Sequence, residues 1–192
     1  MKSNGILFII SAPSGSGKTT LISKLVDSIG GIGRSISMTT RSPRAGEIDG
    51  VDYIFIGKGE FLKRKKKGEF LEWAKVFDEY YGTPKKYIKH LVAKGQDVVL
   101  NIDVQGAMKI KRLKMKTVFI FILPPSIELL KERLVGRSTE SKKVINERLK
   151  FVKKEMAYLS RYDYAVVNNK IEAALGHLRS IVIAERCKIR RG

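Results

Sequence analysis

Ile6-Leu7-Phe8-Ile9-Ile10 is an unbroken apolar run that stops at Ser11-Ala12-Pro13-Ser14-Gly15. This is the pattern of a strand buried on both faces and ended by a turn of small residues, and it is read as the first, central strand. Past Lys18 the period changes: Leu21, Ile22, Leu25, Val26 and Ile29 recur at helical spacing before Gly30-Gly31, which predicts an amphipathic helix with a glycine stop. Residues 97–103 (DVVLNID) and 117–123 (TVFIFIL) predict two more buried parallel strands, and 164–167 (YAVV) a shorter one. Helices are expected over 84–94, 126–137, 141–161 and 171–187. Such alternation predicts an α/β fold of three layers around a parallel central sheet.

Between Ser37 and Tyr87 the pattern breaks into short mixed segments with turn signals at Pro43-Arg44-Ala45-Gly46, Asp49-Gly50 and Tyr81-Gly82-Thr83-Pro84. A small α+β lobe inserted in the α/β core is expected there. A chain of 192 residues, 43% hydrophobic and 30% charged, is enough for one folded domain with such a lobe.

Charge narrows the partners. A formal net charge of +19 predicts attraction to polyanions such as nucleotides, nucleic acid or acidic lipid without choosing among them. The basic run Lys63-Arg64-Lys65-Lys66-Lys67 reads as a solvated helix face. One cysteine, Cys187, rules out an intrachain disulfide, and with only His90 and His177 beside it no zinc-ligand spacing occurs. A reducing, cytoplasmic setting is expected. The apolar runs are far shorter than the roughly 18 residues of a membrane span, so no membrane association is expected.

Ala12-Pro13-Ser14-Gly15-Ser16-Gly17-Lys18-Thr19 fits the phosphate-binding pattern GxxxxGK[ST] except for Ala12 at the first glycine. Small residues let successive backbone N–H groups turn inward around a phosphate, and the following helix adds its positive end. Lys18 reaches the β/γ-phosphates, and Thr19, followed by Thr20, supplies a hydroxyl for Mg²⁺. The strand before the motif and the helix after it are the context it requires, so binding of a nucleoside triphosphate is expected. Asp103, closing the apolar run over 97–103, is the candidate carboxylate for the metal's water shell; the competing reading is a helix N-cap. Moving a phosphoryl group also demands clustered arginines. Arg41 and Arg44 flank Ser42-Pro43, and Arg133, Arg137 and Arg148 bracket the polar link Gly136–Ser141, which suits a lid that closes over the donor.

These segments carry a resemblance. SAPSGSGKTT, SMTTRSPRAGEIDGVDYIF, GEFLEWAKVFDEYYGTP, NIDVQGAMKI, LVGRSTES and VVNN occur in the order and approximate spacing of the guanylate kinases, and the chain from Ile6 to Asn169 resembles that family. The resemblance implies the reaction ATP + GMP to ADP + GDP in purine nucleotide metabolism, with dGMP as a further acceptor. It implies one domain, with a core over 1–36, 91–125 and 150–192, a GMP-binding lobe over 37–90 and a helical lid over 126–149. Carried over by position, Arg41, Arg44, Tyr53 and Tyr81 would hold the GMP phosphate with Glu47 beside them. Ser37, Glu72, Thr83 and Asp103 would read guanine. Lys18, Arg41, Arg137 and Arg148 would act on the phosphoryl group in flight, Arg133 would join the donor site, and Asn168 would lie near adenine. The chemistry agrees: guanidiniums and phenols suit a dianion, and a carboxylate suits the two adjacent donors of guanine.

Three positions depart from the family pattern: Ala12 for glycine, Asn101 where an aspartate is common, and Ser138 for a glycine after Arg137. Two other classes of function compete. A scaffold protein's guanylate-kinase-like binding module lacks a working phosphate loop, whereas Lys18 and Thr19 are present here. Specific nucleic-acid binding has only the net charge behind it, with no aromatic-basic motif, so ATP and GMP are the expected partners. A kinase for another small acceptor differs only through the inserted lobe.

Overall fold

The computed structural model describes residues 4–13, 15–76, 78–113, 115–130 and 142–189, with backbone alone over 142–148. Ser14, Phe77, Arg133, Arg137, Ser138, the expected helix beyond residue 130 and the side chain of Arg148 lie outside the described residues. The chain divides into two compact units, Met1–Ile9 with Gly31–Thr117, and Ile10–Gly30 with Val118–Gly192. The first apolar run forms β1 (Leu7–Ser11), every residue of it buried, and it is the middle strand of a five-stranded sheet. With β2 (Ile32–Arg34), β7 (Asp97–Asn101), β8 (Thr117–Leu123) and β9 (Tyr164–Val167), the sheet order is β2-β7-β1-β8-β9. β2 runs parallel to β7 and β8 parallel to β9, the arrangement that continuous apolar strands predict.

In the first unit a second sheet follows the order β4-β3-β6-β5, built from β3 (Met38–Thr39), β4 (Ile54–Phe55), β5 (Phe70–Val76) and β6 (Glu79–Pro84). Helix α2 (Lys58–Lys66) covers it through one buried residue, Phe61, which stacks on Phe70 at 4.5 Å and on Tyr80 at 5.3 Å. Gly82 is small for this reason: a Cβ there would meet Phe70 at 2.8 Å and Phe61 at 3.0 Å. β5 and β6 pair antiparallel with a shift in register between Phe70 and Glu72, so Phe70 faces Pro84 while Glu72 faces Thr83. Leu71 is the extra residue of a bulge, a device that re-aims a side chain. Helices α3 (Lys85–Ala93) and α4 (Val104–Arg112) complete the unit.

The sequence reading did not anticipate α4. The strand expected over 97–103 ends at Asn101, and Asp103 is the N-cap of α4, its Oδ1 accepting the Gly106 N–H at 2.8 Å. Val104, Ala107 and Ile110 bury one face, a spacing that was present in the sequence but interrupted by Gly106. β2 is too short to leave a pattern.

In the second unit α1 (Lys18–Ser28) packs against α6 (Ile171–Cys187), joined by Lys24–Glu172 at 3.1 Å and by Arg186 Nη2 donating to the Gly30 carbonyl at 2.9 Å. α5 (Lys142–Met156) ends short of the expected residue 161, and a 3₁₀ turn, Leu159–Arg161, follows. Leu130 and Val152 are buried together with Leu149 and Met156 packed on them. Among the described residues no helix is long and apolar enough to cross a membrane.

Candidate functional site

The loop from Ala12 to Gly17 leaves β1 and enters α1. Gly15 and Gly17 adopt φ of 86° and 78°, left-handed values that strain any residue with a Cβ. Ser16 N–H donates to the Pro13 carbonyl at 3.2 Å, and Asn168, only 6% exposed, donates Nδ2–H to the Ser16 carbonyl at 2.8 Å. A Cβ at Gly17 would stand 2.6 Å from that nitrogen. α1 begins at Lys18 with no side-chain cap and no acid in its first turn, so its first N–H groups face outward with the helix dipole behind them. Ser16 Oγ is buried without a hydrogen-bond partner among the described residues. The uncapped N–H groups at the start of α1, an orphan hydroxyl and Lys18 fit a phosphate chain, and Thr19 and Thr20 lie exposed on the same turn. The methyl of Ala12 is buried in the core, which accounts for its standing in place of glycine.

The first unit carries a different set of groups. Arg41 Nη2 donates to Glu47 Oε1 at 2.8 Å, and the other oxygen, Oε2, accepts the Arg44 N–H at 2.8 Å. One carboxylate thus fixes the turn that bears both arginines, at Gly46 with φ of 83°. The Arg41 guanidinium holds the Glu47 carboxyl below its usual range. It also lies 5.4 Å from the Tyr53 ring centre, and the Tyr81 ring meets Tyr53 edge-on at 6.1 Å. Burial pushes the Tyr53 hydroxyl up, keeping it a neutral donor. Arg41, Glu47, Tyr53 and Tyr81 are therefore brought together, while the Arg44 side chain is exposed.

Tyr81 and Thr83 lie two residues apart on β6 and so share one face, about 7 Å apart along the strand. On that face Thr83 Oγ1 donates to Glu72 Oε1 at 2.6 Å, with the two residues 0% and 5% exposed. Burial is the main cause that pushes the Glu72 carboxyl up to about 7; the Thr83 bond opposes it, Asp103 adds to it and Lys109 opposes it. Glu72 lies over the first turn of α4: a Cβ on Gly106 would stand 2.5 Å from Glu72 Oε2 and 3.2 Å from Asp103 Oδ1. Ser37 is buried one residue before β3, whose register opposes Met38 to Gly82 and carries Ser37 toward Thr83. Glu72, Thr83, Asp103 and Ser37 make a recessed set rich in acceptors, matched to a planar group with adjacent donors.

Sequence reasoning missed Gly106 and Lys109, and it left Trp73 as a core residue. Trp73 is half-buried, with the ammonium groups of Lys65 and Lys109 3.7 and 4.0 Å from its ring centre. No period or motif marks these contacts. Among the described residues no group of three or more His, Cys, Asp or Glu side chains is arranged to hold a metal ion.

A family model described as guanylate kinase matches residues 4–185. Over 191 residues the chain is 47% identical to a guanylate kinase of Caldanaerobacter subterraneus subsp. tengcongensis, covering 100% of this chain and 93% of that protein. Against a guanylate kinase of Clostridium perfringens it is 46% identical, covering 97% of this chain and 87% of the relative. The crystal structure of guanylate kinase from Anaplasma phagocytophilum superposes with a TM-score of 0.83 at 37% identity, over 97% of this chain and 89% of that one. The fold, the phosphate-binding loop and the full-length similarity agree: the chain belongs to the guanylate kinase family.

Proposed function

We propose that this chain transfers the γ-phosphoryl group of ATP to GMP, giving ADP and GDP. The observation that carries the reading is the pairing of Glu72 with Thr83 on the sheet face that also presents Tyr81. Ionised Glu72 offers only acceptors, and guanine presents N1–H and its 2-amino group side by side, whereas adenine presents an acceptor at N1. Arg41, Arg44, Tyr53 and Tyr81 supply the charge and donors for the GMP phosphate. None of these groups needs the ribose 2′-hydroxyl, so dGMP is expected as a second acceptor.

In the donor half, the loop N–H groups and Lys18 bind the triphosphate, and Lys18 follows the charge as the γ-phosphoryl leaves. The Asn168 amide commits Nδ2 to Ser16, which leaves Oδ1 to accept from the adenine amino group. Thr19 is the hydroxyl assigned to Mg²⁺, which neutralises charge on the β- and γ-phosphates when bound. Asp103 is assigned to the guanine half, since its Oδ1 caps α4 beside Glu72. Arg133, Arg137 and Arg148 belong in this reading to a lid acting on the donor. An exposed free thiol at Cys187 accords with a reducing cytoplasm. The reading is tested by coupled assay of ADP release with each nucleoside monophosphate. GMP should be used far better than AMP, UMP or CMP, and equal use of AMP would overturn it.

A further inference from the structure

Trp73, the single tryptophan of the chain, follows Glu72 on β5, an edge strand of the second sheet. An edge strand leaves one row of backbone groups without a strand partner. Lys109 of α4 answers one of them: its ammonium donates to the Trp73 carbonyl while standing 4.0 Å from the indole centre. Lys109 lies three residues past Gly106, so the two share a face of α4. Gly106 packs against the Glu72 carboxylate, and Lys109 bonds the backbone of the next residue along the strand. α4 thus grips β5 at two adjacent residues, one of them Glu72. Lys65 of α2 also lies over the ring, 3.7 Å from its centre, and engages the indole by cation–π attraction, but the bond to the Trp73 carbonyl is made by Lys109.

We propose that Lys109 is a positioning residue for guanine recognition: its bond to the Trp73 carbonyl fixes β5 against α4 and so sets where the Glu72 carboxylate stands. The inference rests on the reading of Glu72 as the guanine-binding acid. The bulge at Leu71 aims Glu72 at Thr83 and interrupts the ladder just before it, while β6 pairs β5 from Glu72 onward; on the opposite, edge side of β5, Lys109 holds the residue next to Glu72. Trp73 O is the point held, and the charge on Lys109 makes the bond a strong one.

The test compares Lys109→Met, Lys109→Arg and Lys65→Met in the full chain by steady-state kinetics and by emission of the single tryptophan. Lys109→Met should raise KM for GMP about tenfold while kcat and KM for ATP stay within about twofold. Lys109→Arg, which donates to the same carbonyl, should restore KM for GMP. Lys65→Met should shift the Trp73 emission and leave KM for GMP unchanged. Should Lys109→Met not fold, Lys109→Gln carries the same comparison. An unchanged KM for GMP, a parallel rise in KM for ATP, or an equal effect of Lys65→Met would overturn the inference. If Glu72 does not read guanine, the wild-type protein itself shows no preference for GMP over AMP; failure of the Lys109 role leaves that preference intact.

Discussion

Thr83 Oγ1 donates a 2.6 Å hydrogen bond to Glu72 Oε1, and the two are opposed across β5 and β6 only because Leu71 bulges out of the register. The hydroxyl fixes one carboxylate oxygen and opposes the effect of burial on its charge. Thr83→Val keeps the shape and removes the donor. The variant should lose about tenfold in kcat/KM for GMP, in line with roughly 1.5 kcal/mol for a bond to a charged group. KM for ATP, measured in the same assay, should not move.

The pH dependence of stability follows from Glu72, whose carboxyl is pushed from an ordinary 4.5 up to about 7 in the folded protein, chiefly by burial. Between these values the folded state holds a proton that the unfolded state has released. Stability therefore falls as pH rises from about 4.5 to about 7, by about 3 kcal/mol in total, and levels off above. Glu72→Gln lacks this slope. Without nucleotide, its melting temperature should match wild type near pH 4.5 and exceed it by a growing margin up to pH 7.5. Binding of GMP needs the anion, so KM for GMP in the wild type should fall as pH rises through 7. A melting-temperature difference that is flat with pH would contradict the assignment.

Much of this was legible in the chain. The apolar run before Ala12 and the periodic leucines after Lys18 predicted β1, the loop and α1, because strand, small-residue turn and helix are local patterns. The approach of Glu72 to Thr83 was not, since it depends on one extra residue at Leu71, and a shift of one residue turns every side chain to the other face. α4 was hidden by Gly106, a poor helix residue kept there by the carboxylate packed against it. Lys109 belongs to the same group: in a chain with 38 lysines and arginines, nothing local separates a lysine bonded to a strand from one in solvent.

Gly106→Ala tests that packing. Alanine ordinarily stabilises a helix by up to about 1 kcal/mol over glycine. Here its Cβ would stand 2.5 Å from Glu72 Oε2, so the carboxylate or the helix must shift. The variant should be no more stable than wild type and should show KM for GMP raised by about tenfold or more. A more stable variant with normal KM would show that the helix and Glu72 are not in contact.

Lys18→Met addresses the donor half. Charge stabilisation is most of what a protein contributes to phosphoryl transfer, so kcat should fall on the order of 10³-fold. Circular dichroism and melting should be close to wild type, because Lys18 lies in an outward-facing first turn. Near-normal turnover would remove Lys18 from the chemistry.

The most direct test of guanine recognition is kcat/KM for GMP in Glu72→Gln against wild type, with IMP and AMP alongside. Glutamine keeps the shape and turns one acceptor into a donor facing a donor. The account predicts a loss of about 10²-fold or more for GMP, with KM for ATP little changed. In the wild type, IMP, which keeps N1–H but lacks the 2-amino group, should fall between GMP and AMP. A Glu72→Gln variant that kept the wild-type preference for GMP over AMP would contradict the account.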